Sequence, residues 1–140
     1  MRNWLVARVI GLDVGDVRIG VAVSDPLQMI AQSVGYIKRI GYSKDIAQIK
    51  EYALQYETKT LVLGLPKLLS GIEGEQAQKT RAFGAELEKH GFEIIYQDER
   101  LSSKTAESVL IAGNMQRKDR KQHVDKIAAA IILQVWLDKK

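Results

Sequence analysis

Ile10-Gly11-Leu12-Asp13-Val14-Gly15-Asp16-Val17-Arg18-Ile19-Gly20-Val21-Ala22-Val23-Ser24-Asp25 sets two runs of strand-forming residues on either side of a tight polar turn, and reads as a β-hairpin. Asp13 ends the first run, among apolar neighbours that make a bare carboxylate costly. An isolated Asp before a glycine turn is ordinarily a turn residue. Here the flanking runs are apolar and the hairpin continues, which weakens that explanation and makes a divalent cation a candidate partner.

Outward from the hairpin, Val34 to Ile40 reads as a third strand, giving the sheet an antiparallel start. Ser43 is placed to cap a helix over Asp45–Tyr56, with Ile46, Ile49, Ala53 and Tyr56 at helical spacing. Thr60 to Gly64 is a short apolar strand of the kind buried on both faces. A polar loop follows through Gly74, then a helix over Glu75–His90 ended by Gly91. Phe92 to Gln97 is a fifth strand leading into Asp98-Glu99-Arg100, and Ser102 or Ser103 can cap a helix over Lys104–Ala112. Gly113 to Gln122 is a charged, mobile connection. A last helix over His123–Lys139 carries Val124, Ile127, Ala128, Ile131 and Val135 on one stripe. The order βββαβαβαα specifies an α/β protein: a five-stranded mixed sheet, its first three strands antiparallel, with helices on its faces. Nothing divides the chain, so residues 1–140 are expected to form one domain.

Composition narrows the chemistry. With no Cys and two His, thiol nucleophiles, thiolate metal sites and multi-histidine zinc sites are out of reach. Any metal must be held by oxygen, which favours Mg²⁺ or Mn²⁺. The N-terminal residues lack a long apolar stretch, so no membrane span and a cytoplasmic location are expected. A net charge of +4 permits a polyanionic partner without requiring one.

Two further acidic positions resemble Asp13 in setting. Asp98 and Glu99 follow a core strand, and ligands gather at strand carboxyl ends. Strand alternation lets only one of them share a side with Asp13; the reading favours Glu99, with Asp98 the alternative or a residue behind it. Asp125 lies within about 20° of Ile132 and about 60° of Ala128 on a helical wheel, beside the apolar stripe, although the helix dipole alone also favours an acid in a first turn. Asp16 and Asp25 read more simply as turn and strand-end residues. Clustered carboxylates repel one another unless a cation neutralises them. A metal held there can activate water and stabilise the leaving oxygen of a phosphodiester.

Arg117-Lys118-Asp119-Arg120-Lys121 immediately precedes the helix with Asp125. Such a run is as often a solvated loop as a phosphate contact, but beside a metal site Arg117, Lys118, Arg120 and Lys121 would hold a nucleic-acid strand, aided by Arg18, Lys67 and Arg100. The loop from Ser70 to Gln76 precedes a helix N-terminus, but Glu73 and Glu75 work against an anion there, so it reads as a flexible connector. An aromatic share of 6% offers no evident stacking platform.

Taken in order, Gly11-Leu12-Asp13-Val14-Gly15 with Arg18-Ile19-Gly20-Val21-Ala22-Val23-Ser24-Asp25, Val62-Leu63-Gly64-Leu65-Pro66 with Gly71, Gly74 and Gln76-Ala77-Gln78, Asp98-Glu99-Arg100-Leu101-Ser102, and Val124-Asp125 with Ala128 to Gln134 resemble the YqgF (RuvX) family over nearly the whole chain. Those small bacterial proteins are described as Holliday junction resolvases or as nucleases for the 16S ribosomal RNA precursor. The resemblance implies an RNase H-like fold and a Mg²⁺- or Mn²⁺-dependent site at Asp13, the Asp98-Glu99 pair and Asp125. At Lys67-Leu68-Leu69-Ser70 the chain departs from a Leu-Asn-Met-Asp-like stretch common in relatives. The resulting expectation is a metal-dependent nuclease acting on ribosomal RNA precursor or branched DNA, as monomer or homodimer. The competing expectations are a nucleic-acid-binding module without catalysis and an ATP-binding protein, although 140 residues supply only one of the two lobes that enclose a nucleotide.

Overall fold

A computed structural model describes residues 7–67, 70–98 and 117–139, with side chains in the last segment described from Ile127 onward. Strands β1 (Ile10–Val14), β2 (Arg18–Ser24) and β3 (Ala31–Lys38) precede helix α1 (Tyr42–Gln55). Strand β4 (Thr60–Leu65), helix α2 (Glu75–Lys89), strand β5 (Glu93–Asp98) and helix α3 (Arg117–Lys139) follow. The strands form one sheet in the order β3-β2-β1-β4-β5. β1 pairs antiparallel with β2 and β2 with β3, whereas β1–β4 and β4–β5 are parallel. The mixed sheet with an antiparallel start is therefore as expected, and the helix expected over Lys104–Ala112 lies outside the described residues.

Alternation along the strands makes two cores. On one face Ile10, Leu12, Ile19, Val21, Leu61 and Leu63 pack with Ile46 and Ile49 of α1 and Phe83 and Leu87 of α2. On the other, Val9, Ala22 and Val62 pack with Ala129, Ile132, Leu133 and Leu137 of α3. Most of these side chains are fully buried, each stabilising the fold by about 1.5–3 kcal/mol relative to exposure.

Several expected boundaries are corrected. β3 starts at Ala31 rather than Val34 and ends at Lys38. As an edge strand it keeps one side in water, so its first residues lack an apolar signature, and a bulge between the Ala22–Ser33 and Val21–Gly35 pairs breaks the alternation. α1 starts at Tyr42 with Gly41 as its cap, and Ser43 does not cap it. The buried Asp45 carboxylate instead accepts the Ile40 N–H at 2.9 Å and the Gly41 N–H at 3.4 Å.

The expected mobile connection through Gln122 is helical from Arg117, since Arg, Lys and Gln are good helix formers and the charge run holds no breaker. The stripe expected on this helix is also wrong in part. Ala128, Ala129, Ile132, Leu133 and Leu137 are buried, while Val135 is 42% exposed. Small residues decide this: the Cβ of an alanine at Gly11 would sit 2.7 Å from Leu133 Cβ and 3.1 Å from the Ala129 carbonyl oxygen. Gly11→Ala is therefore expected to cost about 1–3 kcal/mol, read from urea unfolding, because α3 must move off the sheet.

Candidate active site

Gly11 faces α3, so Asp13, two residues further along β1, shares that face, while Leu12 and Val14 belong to the opposite core. Asp13 is half-buried near the carboxyl end of its strand. Its register partner in β2 is Gly20. On the other side Leu12 pairs with Leu63, which brings Gly64 alongside Asp13. Two glycines thus leave the sheet bare on both sides of this carboxylate, making room for a bound group.

The turn after Asp13 is held from three directions. Gln76 of α2 donates to the Val14 carbonyl at 3.2 Å, Arg39 donates to the Gly15 carbonyl at 2.9 Å, and Lys79 lies 3.6 Å from the Asp16 carboxylate. The Gly15 N–H closes the turn onto the Arg18 carbonyl. Arg39 is itself braced by Asp45 at 3.2 Å and lies over the Phe83 ring at 5.0 Å. None of these holding contacts was legible in sequence. Arg39 follows Lys38 and looks like ordinary surface charge until the fold turns it inward.

Asp125 lies on α3, four residues before Ala129. Leu137 packs with Val9, and Gln134 bonds the Met29 carbonyl and the Ala31 N–H where β3 begins. Its C-terminal half therefore lies toward the amino end of β1, running obliquely enough for Lys139 to reach Gln97 of β5 at 3.4 Å. Its N-terminal half points to the carboxyl end. Asp125 precedes Ala129 by one turn, about 6 Å along the axis, and Asp13 lies about 6.6 Å beyond Gly11 along β1. Arg117, Lys118, Arg120 and Lys121 occupy the first turns of the helix, which start about 18 Å before Ala129 and project past the strand end.

Asp98 is the last residue of β5, half-buried and paired with Leu65. Its parity matches Ile94 and Tyr96, which pack against the α1–α2 core, so its register position lies on the face away from Asp13. Ile95 packs on the α3 side and the buried Gln97 has the same parity. Glu99 and Arg100 lie outside the described residues, and among the described ones no three His, Cys, Asp or Glu cluster as a metal site. An all-carboxylate set beside bare glycine backbone nevertheless fits a hard, oxygen-preferring cation.

Around this end, Arg18 stacks its guanidinium over the Tyr36 ring at 5.5 Å, and Lys67 follows β4 after Pro66. Ser70 to Gly74 is less free than a flexible connector. Glu73 accepts two hydrogen bonds from Arg81, at 2.7 and 2.8 Å, and Arg81 lies over the Tyr96 ring at 4.8 Å. The same hydrogen bonding holds the Glu73 carboxyl below its ordinary range. Asp25 is the strand-end residue expected, directly after β2: its carboxylate accepts the Ile30 and Met29 N–H groups, which lower its pKa.

An antiparallel hairpin feeding a parallel β1–β4–β5 core, with helices packed on both faces, is an RNase H-like fold. The fold is shared with Thermus thermophilus RuvC in complex with a Holliday junction substrate, at TM-score 0.56 and 13% identity over 95% of this chain and 94% of that one. The chain belongs to the RuvX family, whose model, described as Holliday junction resolvase, matches residues 7–139. A relative from Lactococcus lactis subsp. cremoris, named "Putative pre-16S rRNA nuclease", is 47% identical over 96% of each chain. One of the same name from Clostridium tetani is 47% identical over 94% of this chain and 96% of its own.

Proposed function

We propose that this chain is a divalent-metal-dependent endonuclease of the cytoplasm that processes the 5′ end of the 16S ribosomal RNA precursor, with residues 1–140 working as one unit. The observation that carries the reading is the carboxylate of Asp13 on bare sheet at the carboxyl end of β1, under the helix that carries Asp125. The naming of relatives at 47% identity supports the substrate.

Asp13, Glu99 and Asp125 would hold Mg²⁺ or Mn²⁺; the parity of Ile95 and Gln97 favours Glu99 over Asp98 as the acid after β5. The bound cation supplies Lewis-acid stabilisation of the phosphate and lowers the pKa of water. The chain supplies position. Asp13 sits on a strand whose end is clamped by Gln76 and Arg39, so its carboxylate is oriented before substrate arrives. Arg117, Lys118, Arg120, Lys121, Arg18, Lys67 and Arg100 would neutralise the phosphates flanking the scissile bond.

Cleavage of ribosomal RNA precursor against a four-way DNA junction, each with Mn²⁺ and Mg²⁺, tests this. Cutting of the precursor that stops on chelation is the expected result. Cutting of the junction alone assigns a resolvase, as the family is described. Salt-sensitive binding without cutting of either substrate assigns a binding module.

A further inference from the structure

Nothing in the linear order brings Tyr36 to the site, yet the sheet does. Asp13 pairs with Gly20, and Gly20 with Tyr36. Register partners project to one face, so Asp13, bare Gly20 and Tyr36 form a row across three strands. With neighbouring strands about 4.8 Å apart, the two outer backbones are about 10 Å apart, a gap an unstacked nucleotide bridges. The Tyr36 ring is 36% exposed and carries the Arg18 guanidinium above it. Lys38, exposed, is the register partner of Arg18 and adds a second cation beside the stack. A cross-strand pair that served only to cover β2 would gain from burying this ring. Instead over a third of it remains in water, on the face and at the sheet end that hold Asp13.

We propose that Tyr36, layered with Arg18, is a stacking platform for an unpaired base on the sheet face that carries Asp13, so that the site prefers nucleic acid with unpaired nucleotides. The proposal rests on the nucleic-acid reading above. A ring and a guanidinium both offer flat faces to any base, which gives preference for unstacked nucleotides without sequence specificity. The same face of the sheet is crossed by α3, which packs on β2 and β3 as well as β1.

The test is a fluorescence titration with an oligonucleotide carrying 2-aminopurine in an unpaired segment, against a fully paired duplex. Divalent metal is left out so that nothing is cut. Tyr36→Ala and Tyr36→Leu are expected to weaken binding of the unpaired oligonucleotide roughly 10- to 100-fold and to abolish the quenching. Tyr36→Phe retains both, and duplex binding changes little throughout. The leucine variant keeps side-chain bulk, so loss in both variants, with unfolding midpoints matching the parent, identifies stacking. Unchanged binding in either folded variant, or equal loss for duplex and unpaired strand, overturns the platform. Tyr36-dependent binding by a protein that cuts nothing with Mg²⁺ or Mn²⁺ overturns the nuclease reading and leaves the platform standing. No binding by the parent overturns both.

Discussion

Asp13→Asn abolishes divalent-dependent cleavage, lowering the single-turnover rate by at least about 10³-fold, and leaves the unfolding midpoint in urea unchanged or slightly raised. Several kcal/mol of transition-state charge stabilisation travel through a catalytic cation, and each 1.36 kcal/mol is a factor of ten in rate. Asparagine keeps the shape of the side chain and removes the charge that grips the ion. Asp13 is half-buried on a strand with glycines on both sides, so the amide fits without repacking. A turn-forming Asp would behave oppositely, with stability falling and activity following only as far as folding does. Retained cleavage in a preparation free of contaminating nuclease removes Asp13 from the reaction.

Asp45→Ala is expected to cost about 3 kcal/mol in chemical denaturation. Asp45 is fully buried, and its carboxylate satisfies the Ile40 and Gly41 N–H groups as well as Arg39. Alanine strands the Arg39 side chain, only 18% exposed, and leaves two N–H groups at the start of α1 without that acceptor. Because Arg39 also holds the Gly15 carbonyl, the turn after Asp13 loosens too. Cleavage should fall in the variant even under conditions where it remains folded. Asp45→Asn, which keeps an acceptor for the N–H groups, should recover part of the stability. A loss below about 1 kcal/mol in the alanine variant would show that the pair contributes no more than a surface ion pair does.

The acids proposed for the site stand out in the sequence because each breaks a local rule: Asp13 in an apolar strand, Asp98-Glu99 past a core strand, Asp125 beside an apolar stripe. The choice between Asp98 and Glu99 does not, since it depends on the parity of β5 against β4, a pairing between segments more than 30 residues apart. The position of β3 was missed for a related reason, because its first residues are held by the ladder to β2 rather than by their own propensity. Arg39, Gln76 and Tyr36 carried no local mark at all. Each looks like a surface residue until a distant carbonyl, strand or ring is brought against it.

By itself the sequence determined the order of the described elements and the antiparallel start and mixed character of the sheet, and it left only oxygen ligands for any metal, because strand and helix periodicities and residue types act over a few neighbours. Only the tertiary structure decided which face Asp13 occupies, how α3 crosses over Gly11, and what clamps the turn beside the site. Those outcomes follow from close packing and hydrogen bonding between segments as far apart as Gly11 and Leu133, where the shape of one surface selects the register of the other.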